Sequence, residues 1–331
     1  MAAMIVVFGS LTVDIILAVP AFPRPGETTL TQTYDIAPGG KGANQALAAA
    51  RALGEPGRVA MAGMIGDDAW GRTATALLTQ AGVDLAHVGV SAQPTGCATI
   101  WVDGHGQNEI VVASGANSAA TAAQVPDPLL GPDTILVLQM EVDPKENWAL
   151  VKRARAKGAK ILLNVAPALP VPADHLKTVD ILVVNEIEAV IIAAAAGLAQ
   201  PIAGASHDGA AHDRTIRAEA HLPTARALAR RHDLACIVTA GPDGAIAATP
   251  DEGWLVAALP VEPVDTTGAG DAFVGNLAAA LEGGLDLAEA MRQASVAAAL
   301  ACLKKGCQPA YATGRDIASR LDELPPARRL F

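Results

Sequence analysis

Short runs of aliphatic and β-branched residues recur along the chain: Met4–Phe8, Arg58–Met64, Thr134–Gln139, Lys160–Asn164, Asp180–Asn185 and Ala235–Thr239. Apolar runs of this length, with little polar alternation, read as strands buried on both faces. Between them lie Ala/Leu-rich segments of helical periodicity, Gly42–Leu53, Ala69–Ala81, Pro144–Lys157 and Thr224–His232. Strand alternating with helix predicts an α/β fold, a mainly parallel sheet covered by helices on both faces in three layers.

Two regions interrupt that alternation. Leu11–Pro38 carries four prolines, three of them ahead of an alternating Thr28–Ile36 stretch, and in Thr95–Ser114 the runs Ala98–Val102 and Glu109–Ala113 flank Asp103-Gly104-His105-Gly106. The second reads as a hairpin by its turn chemistry. Together they predict a small antiparallel sheet beside the main one, placed to act as a lid.

With 331 residues, 51% of them apolar, the chain has ample material for a core and is not of a disordered class. Its 24 basic and 34 acidic residues give a net charge of −10, with no basic run longer than two. Nucleic acid and an anionic membrane are therefore excluded as main partners. The four cysteines form no C-x-x-C pair and read as reduced core residues. Met4–Phe8 follows no basic residue, and the apolar stretch 189–199 has too few residues to span a bilayer, so a cytoplasmic enzyme is expected. The polar segment Pro201–His221, with His207, His212, His221, Asp208 and Asp213, matches no standard metal spacing and reads as a solvated insertion.

The strongest chemical signal is Val264-Asp265-Thr266-Thr267-Gly268-Ala269-Gly270-Asp271-Ala272-Phe273, between a strand-like Leu255–Val264 and a helical Ala272–Leu281. Glycines at 268 and 270 let main-chain N–H groups turn toward a ligand, and a helix N-terminus adds roughly half a positive charge, which makes an anion site without basic side chains. A carboxylate there would repel bound phosphates unless it had another task, and taking a proton from an attacking hydroxyl is such a task for Asp271; capping the helix is the alternative. Pro38-Gly39-Gly40-Lys41-Gly42-Ala43-Asn44-Gln45 is a glycine turn opening a helix, suited to neutral hydroxyls, and is no Walker loop because Gly42 follows Lys41. Asp14 and Glu141 follow strands, at the edge where open α/β sheets bind ligands, and can accept hydroxyl hydrogen bonds from a sugar. Asn185 and Glu188 follow another strand and offer oxygens to a hydrated Mg²⁺, or cap a helix.

In combination these residues resemble the ribokinase (PfkB-type) family of carbohydrate kinases. The Asp265–Asp271 run looks like the family signature and Gly39–Gln45 like the ribokinase form of its other motif. Further matches at Gly9–Asp14, Phe22–Glu27, Gly66–Gly71, Thr95–Asn117, Leu138–Glu141, Asn164–Pro167, Asn185–Glu188, Thr239–Gly244 and Lys305–Pro309 carry the resemblance over nearly the whole chain.

The resemblance implies one ribokinase-like domain over 1–331, with lid segments at about 11–38 and 95–114, and ATP-dependent phosphorylation of the 5-hydroxyl of D-ribose. Asp271 would be the base, and the amides of Gly268, Ala269 and Gly270 would hold the transferring phosphoryl group. Asp14, Gly40, Lys41, Asn44 and Glu141 would bind the pentose. Asn185 and Glu188 would serve the phosphates and Mg²⁺, Thr239, Gly241 and Gly244 the ATP channel, and Ser295 the adenine. A monovalent cation such as K⁺ would sit on the Asp265 carboxylate and the main-chain oxygens of Thr267, Ala301, Lys304 and Gly306, and a homodimer would form through the lid. Thr12, Ala310 and Ser295 depart from residues usual in relatives. The alternatives are a nucleoside (adenosine-like) kinase of the same family, for which Trp101 on a lid strand could stack on a base, although core packing is the favoured role for that residue, or another pentose or hexose kinase of the family. Asp14 and Glu141 disfavour a phosphorylated sugar, and a dinucleotide-dependent dehydrogenase lacks its G-x-G-x-x-G after the first strand.

Overall fold

Ile5, Val6, Val7 and Phe8 are all inaccessible to solvent, as an unbroken apolar run in the middle of a sheet must be. The computed structural model, which describes residues 4–105, 107–198 and 214–331, places them in β1 (Met4–Phe8). There follow β2 (Thr12–Ala18), β3 (Tyr34–Gly39), α1 (Lys41–Leu53), β4 (Val59–Gly66), α2 (Ala69–Gln80), β5 (Asp84–Ser91), β6 (Gly96–Val102), β7 (Asn108–Ala113) and β8 (Thr134–Leu138). Next come α3 (Pro144–Ala156), β9 (Lys160–Asn164), α4 (Ala173–Leu176), β10 (Ile181–Asn185), α5 (Glu186–Ala195), α6 (Arg214–Glu219), α7 (Leu222–His232) and β11 (Ala235–Thr239). The chain ends with β12 (Ala245–Ala248), β13 (Gly253–Val256), α8 (Ala269–Glu282), α9 (Leu287–Ala301), α10 (Gly314–Arg320) and β14 (Arg328–Arg329).

Among the described residues the main sheet runs β14-β13-β12-β11-β10-β9-β8-β1-β4-β5, parallel from β5 through β11 and antiparallel at the β12–β14 edge. Alternate side chains divide its two faces. Ile5 and Val7 join a core with α1, α8 and α9, whereas Val6 and Phe8 join Leu136, Leu138 and residues of α3, α5 and α7. Helices therefore cover both faces, the three layers expected from the alternation of strand and helix.

The second sheet runs β3-β2-β6-β7; its outer pairings are antiparallel and its central β2–β6 pairing is parallel. The hairpin β6–β7 forms as its turn residues predict. Two expected strands come out shorter: only Tyr34 onward of the Thr28–Ile36 stretch is strand, and β13 ends at Val256, four residues short of Pro260. Prolines at 260 and 263 remove ladder donors from the rest of Leu255–Val264. Of the polar segment 201–221, His207, His212, Asp208 and Asp213 lie outside the described residues, and His221 Nε2 meets Glu186 Oε1 at 2.8 Å. Among the described residues no helix is long and apolar enough to cross a membrane.

Candidate active site

Because β1, β8, β9, β10 and β11 are parallel, their carboxyl ends share one edge of the sheet, and that edge carries Ser10, Gln139, Glu141, Asn164, Asn185 and Thr239. Helices α1 and α8 start above it. They approach closely because Gly275 of α8 has no side chain: a Cβ there would collide with the Gln45 carbonyl and the Ala48 methyl of α1. The contact brings Asn44 and Gln45 to Asp271, in the first turn of α8. Asn44 Nδ2 donates to Asp271 Oδ2 at 2.9 Å and Gln45 Nε2 to Oδ1 at 2.9 Å, with Asp271 only 6% exposed.

The turn into α8 requires glycine at 268. Its φ of 78° is left-handed, and a Cβ would strike Cys307 Sγ and the Tyr311 hydroxyl. Ala269 N–H reaches back to the Thr266 carbonyl at 3.3 Å, whereas Gly268 and Gly270 N–H take no partner among the described residues. Of the three amides assigned to the anion hole, two are thus open donors and one is turned inward. Space in front of Gly270 is clear, since a Cβ there would meet nothing within 4 Å.

Two cavities meet at this point. A small one of about 140 Å³ is lined by Lys41, Asn164, Asn185, Glu188, Gly270 and Asp271 among others. A larger one of about 420 Å³ lies between Thr239, Gly241, Gly244, Phe273 and Ser295, walled by apolar side chains. Thr239 and Gly270 line both. Ser295 Oγ donates to the Ala257 carbonyl at 3.3 Å.

Glu141 accepts from Ser10 Oγ at 2.5 Å and from the Lys41 N–H at 2.9 Å, all on Oε2. Asp14, on β2, accepts only from Thr12 Oγ1, at 3.2 Å, among the described residues. Burial pushes its carboxyl up to about 6, with Glu141 and Asp271 adding to the rise against the Thr12 hydrogen bond and Lys41. The Lys41 ammonium is held above its ordinary value by Asp271 first, against burial, with Glu141 and Glu188 assisting.

Asn185 and Glu188 cap α5 reciprocally: Glu188 N–H donates to Asn185 Oδ1 and Asn185 N–H to Glu188 Oε2, both at 2.8 Å. Burial raises the Glu188 carboxyl. Capping and a role toward Mg²⁺ are compatible, since only Oε2 of Glu188 accepts a hydrogen bond among the described residues. Among the described residues no group of three His, Cys, Asp or Glu is arranged for a metal; one amide and one carboxylate are oxygen donors of the kind a hydrated Mg²⁺ takes.

Asp265 accepts from Thr267 N–H and Gly306 N–H, each at 2.9 Å. Burial works to raise its pKa, but these amides, with Lys305, hold it below the usual value. The carbonyls of Thr267, Ala301, Lys304 and Gly306 accept no hydrogen bond among the described residues, a donor set that fits a monovalent cation. Ala310, 2% exposed, adds no hydroxyl to it.

Trp101 does not reach the site. Asp14 pairs with Ala98 across the lid, and Trp101, three residues on, points to the opposite face. Sequence reading left Ser10, Gln45, Gln139, Asn164 and Gln308 without roles. A polar residue closing an apolar strand run was the available signal for Gln139 and Asn164; Gln308 had none.

The pfkB family carbohydrate kinase profile matches residues 2–313. The ribokinase of Haemophilus influenzae is 34% identical over 313 residues, 94% of this chain and 95% of that one. A deoxyribokinase of Salmonella typhi is 32% identical over 311 residues, 93% of this chain and 95% of that one. The crystal structure of Thermotoga maritima ribokinase superposes with a TM-score of 0.84 at 28% identity, over 97% of this chain and 99% of that one. Arabidopsis thaliana ribokinase complexed with ribose and ATP gives 0.81 at 30%, with the same coverage. The chain belongs to the pfkB family of carbohydrate kinases.

Proposed function

We propose that this kinase transfers the γ-phosphoryl group of ATP to the 5-hydroxyl of D-ribose, with Asp271 as general base. One observation carries the reading: a cavity large enough for a nucleotide base opens, through Thr239 and Gly270, onto the small polar cavity that holds Asp271. Adenine lies in the larger cavity against Ser295, and the phosphates run past Gly241 and Gly244 to the start of α8. Gly268 and Gly270 N–H groups and the helix dipole meet the transferring phosphoryl group, and Lys41 adds a cation beside it. The pentose lies between Asp14, Glu141 and the turn at Gly40, with Asn44 and Asp271 at its 5-hydroxyl. Asp271 takes the hydroxyl proton as the oxygen attacks phosphorus, and ADP departs.

Mg²⁺ bound with ATP neutralises phosphate charge, and Asn185 and Glu188 would hold its water shell. Asp265 with the carbonyls of Thr267, Ala301, Lys304 and Gly306 would hold K⁺, whose charge steadies the anion site. The chain is read as one domain, 1–331, in which the β2-β3-β6-β7 sheet is a lid that excludes water. The lid's exposed apolar residues on the face away from Asp14, Tyr34, Ile36 and Val111, suit a homodimer through it. Four free cysteines suit the reducing cytoplasm.

The test is competition between D-ribose, 2-deoxy-D-ribose and adenosine at equal concentrations with Mg·ATP, with and without K⁺. Ribose 5-phosphate is expected to dominate and K⁺ to increase the rate; a preference for adenosine or for 2-deoxy-D-ribose would overturn the substrate assignment.

A further inference from the structure

Asp271 is held by a branched chain of side-chain amides whose hydrogen bonds have a single consistent direction. The direction is set by the Val183 carbonyl, which can only accept. Asn164 Nδ2 donates to it at 3.1 Å, so Asn164 turns its Oδ1 toward Gln45. Gln45 answers with Nε2, 3.0 Å from Asn164 Oδ1, and the same nitrogen donates to Asp271 Oδ1. Gln45 Oε1 is left facing outward, where it accepts from Gln139 Nε2 at 2.6 Å. On the other side Asn44 Nδ2 donates to Asp271 Oδ2, and Asn44 Oδ1 accepts from Gln308 Nε2 at 3.0 Å.

Gln45, Gln139 and Gln308 are wholly buried. Gln139 Oε1 and Gln308 Oε1 have no hydrogen-bond partner among the described residues. Both outer glutamines thus leave an acceptor unsatisfied while aiming a donor inward, an arrangement that a merely space-filling amide has no reason to adopt. Were either inner amide to turn over, it would set a carbonyl oxygen against a carboxylate oxygen of Asp271, and the repulsion would swing that carboxylate away.

We propose that Gln139 and Gln308 are positioning residues for phosphoryl transfer: by donating to Gln45 and Asn44 they oblige both inner amides to present N–H to Asp271, which locks the carboxylate toward the substrate hydroxyl. The inference rests on Asp271 being the base. Neither glutamine hydrogen-bonds to Asp271 among the described residues, so the effect falls on kcat; at Gln139 sugar binding is spared, whereas Gln308 also orients Asn44 at the sugar and moves KM as well.

Gln139→Glu and Gln308→Glu keep the size of the side chain. An ionised Glu has no donor and draws the inner amide's N–H toward itself, whereas a protonated Glu donates as the glutamine does. At pH 8 kcat is expected to fall on the order of tenfold or more, with KM for ribose within about twofold of the parent in the Gln139 variants. The ratio of variant to parent kcat should then recover as the pH is lowered. Gln139→Met and Gln308→Met, which remove the donor without reversing the amide, should lose kcat with no recovery, and they carry the test should the Glu variants fail to fold. Parent-like kcat in the folded variants, or the same pH profile in the Glu and Met pairs, overturns the proposal. Asp271→Asn separates the two readings: turnover that survives it overturns the base assignment itself, whereas its loss alongside parent-like glutamine variants overturns only the positioning role.

Discussion

Two carboxylates, Asp271 on the helical floor and Asp14 on the lid, are proposed to face the same sugar, and the molecule treats them differently. Asp271 sits where two Ala- and Gly-rich helices touch, and each of its oxygens already has an amide donor at 2.9 Å. Asp14 sits on a four-stranded sheet beside two other carboxylates and has one hydroxyl, at 3.2 Å. The floor is organised before substrate arrives, while the lid carries an under-solvated carboxylate that a sugar's hydroxyls would satisfy. Pre-organisation belongs where a proton moves, and an unsatisfied acceptor belongs where a neutral ligand is to be gripped.

The largest effect on sugar binding expected from breaking this contrast is at Asp14. Asp14→Asn should raise KM for ribose on the order of a hundredfold, through loss of charge-assisted hydrogen bonds, while changing kcat far less. It should also raise the thermal midpoint of the unliganded protein at pH 7.5. The sign follows from the carboxyl's position at about 6, above its ordinary 3.8. The folded state binds this proton more readily than the unfolded chain, so burying the ionised group costs stability above pH 6, and the cost disappears as the pH falls through 6 toward 4. Conversely, KM in the parent should rise roughly tenfold between pH 7.5 and pH 5 as the group is protonated; a flat KM profile would place Asp14 away from the sugar.

A smaller effect on catalysis is expected at the outer face of the lid. Tyr34 and Val111 are 59% and 64% exposed, on the side away from Asp14. Tyr34→Asp with Val111→Asp should convert a dimer into a monomer in sedimentation, with kcat changed by no more than about twofold because neither touches the floor. An unaltered oligomer would remove the lid from the interface.

Much of this arrangement is written in local pattern. Runs such as Ile181–Val184 are apolar throughout because helices cover both faces, and helix starts announce themselves through caps such as Asp68, which accepts from Gly71 N–H, and Asp286, which accepts from Glu289 N–H. The Gly268–Asp271 turn was legible for the same reason, since few roles require that order of residues. The amide network was not. Gln45, Gln139 and Gln308 are far apart along the chain, and nothing in a neutral amide's neighbours says that it will be buried against another. Only the approach of α1 to α8 at Gly275 brings Gln45 to Asp271. For Trp101 strand membership was evident, but its face depends on the register with β2.

The central claim is that Asp271 takes the proton of the sugar's 5-hydroxyl. Asp271→Asn, assayed with D-ribose and Mg·ATP beside calorimetric measurement of ribose binding, tests it most directly. Binding within a few-fold of the parent and turnover lower by about two to four orders of magnitude are expected; near-parental turnover in that variant would remove Asp271 from the role of base.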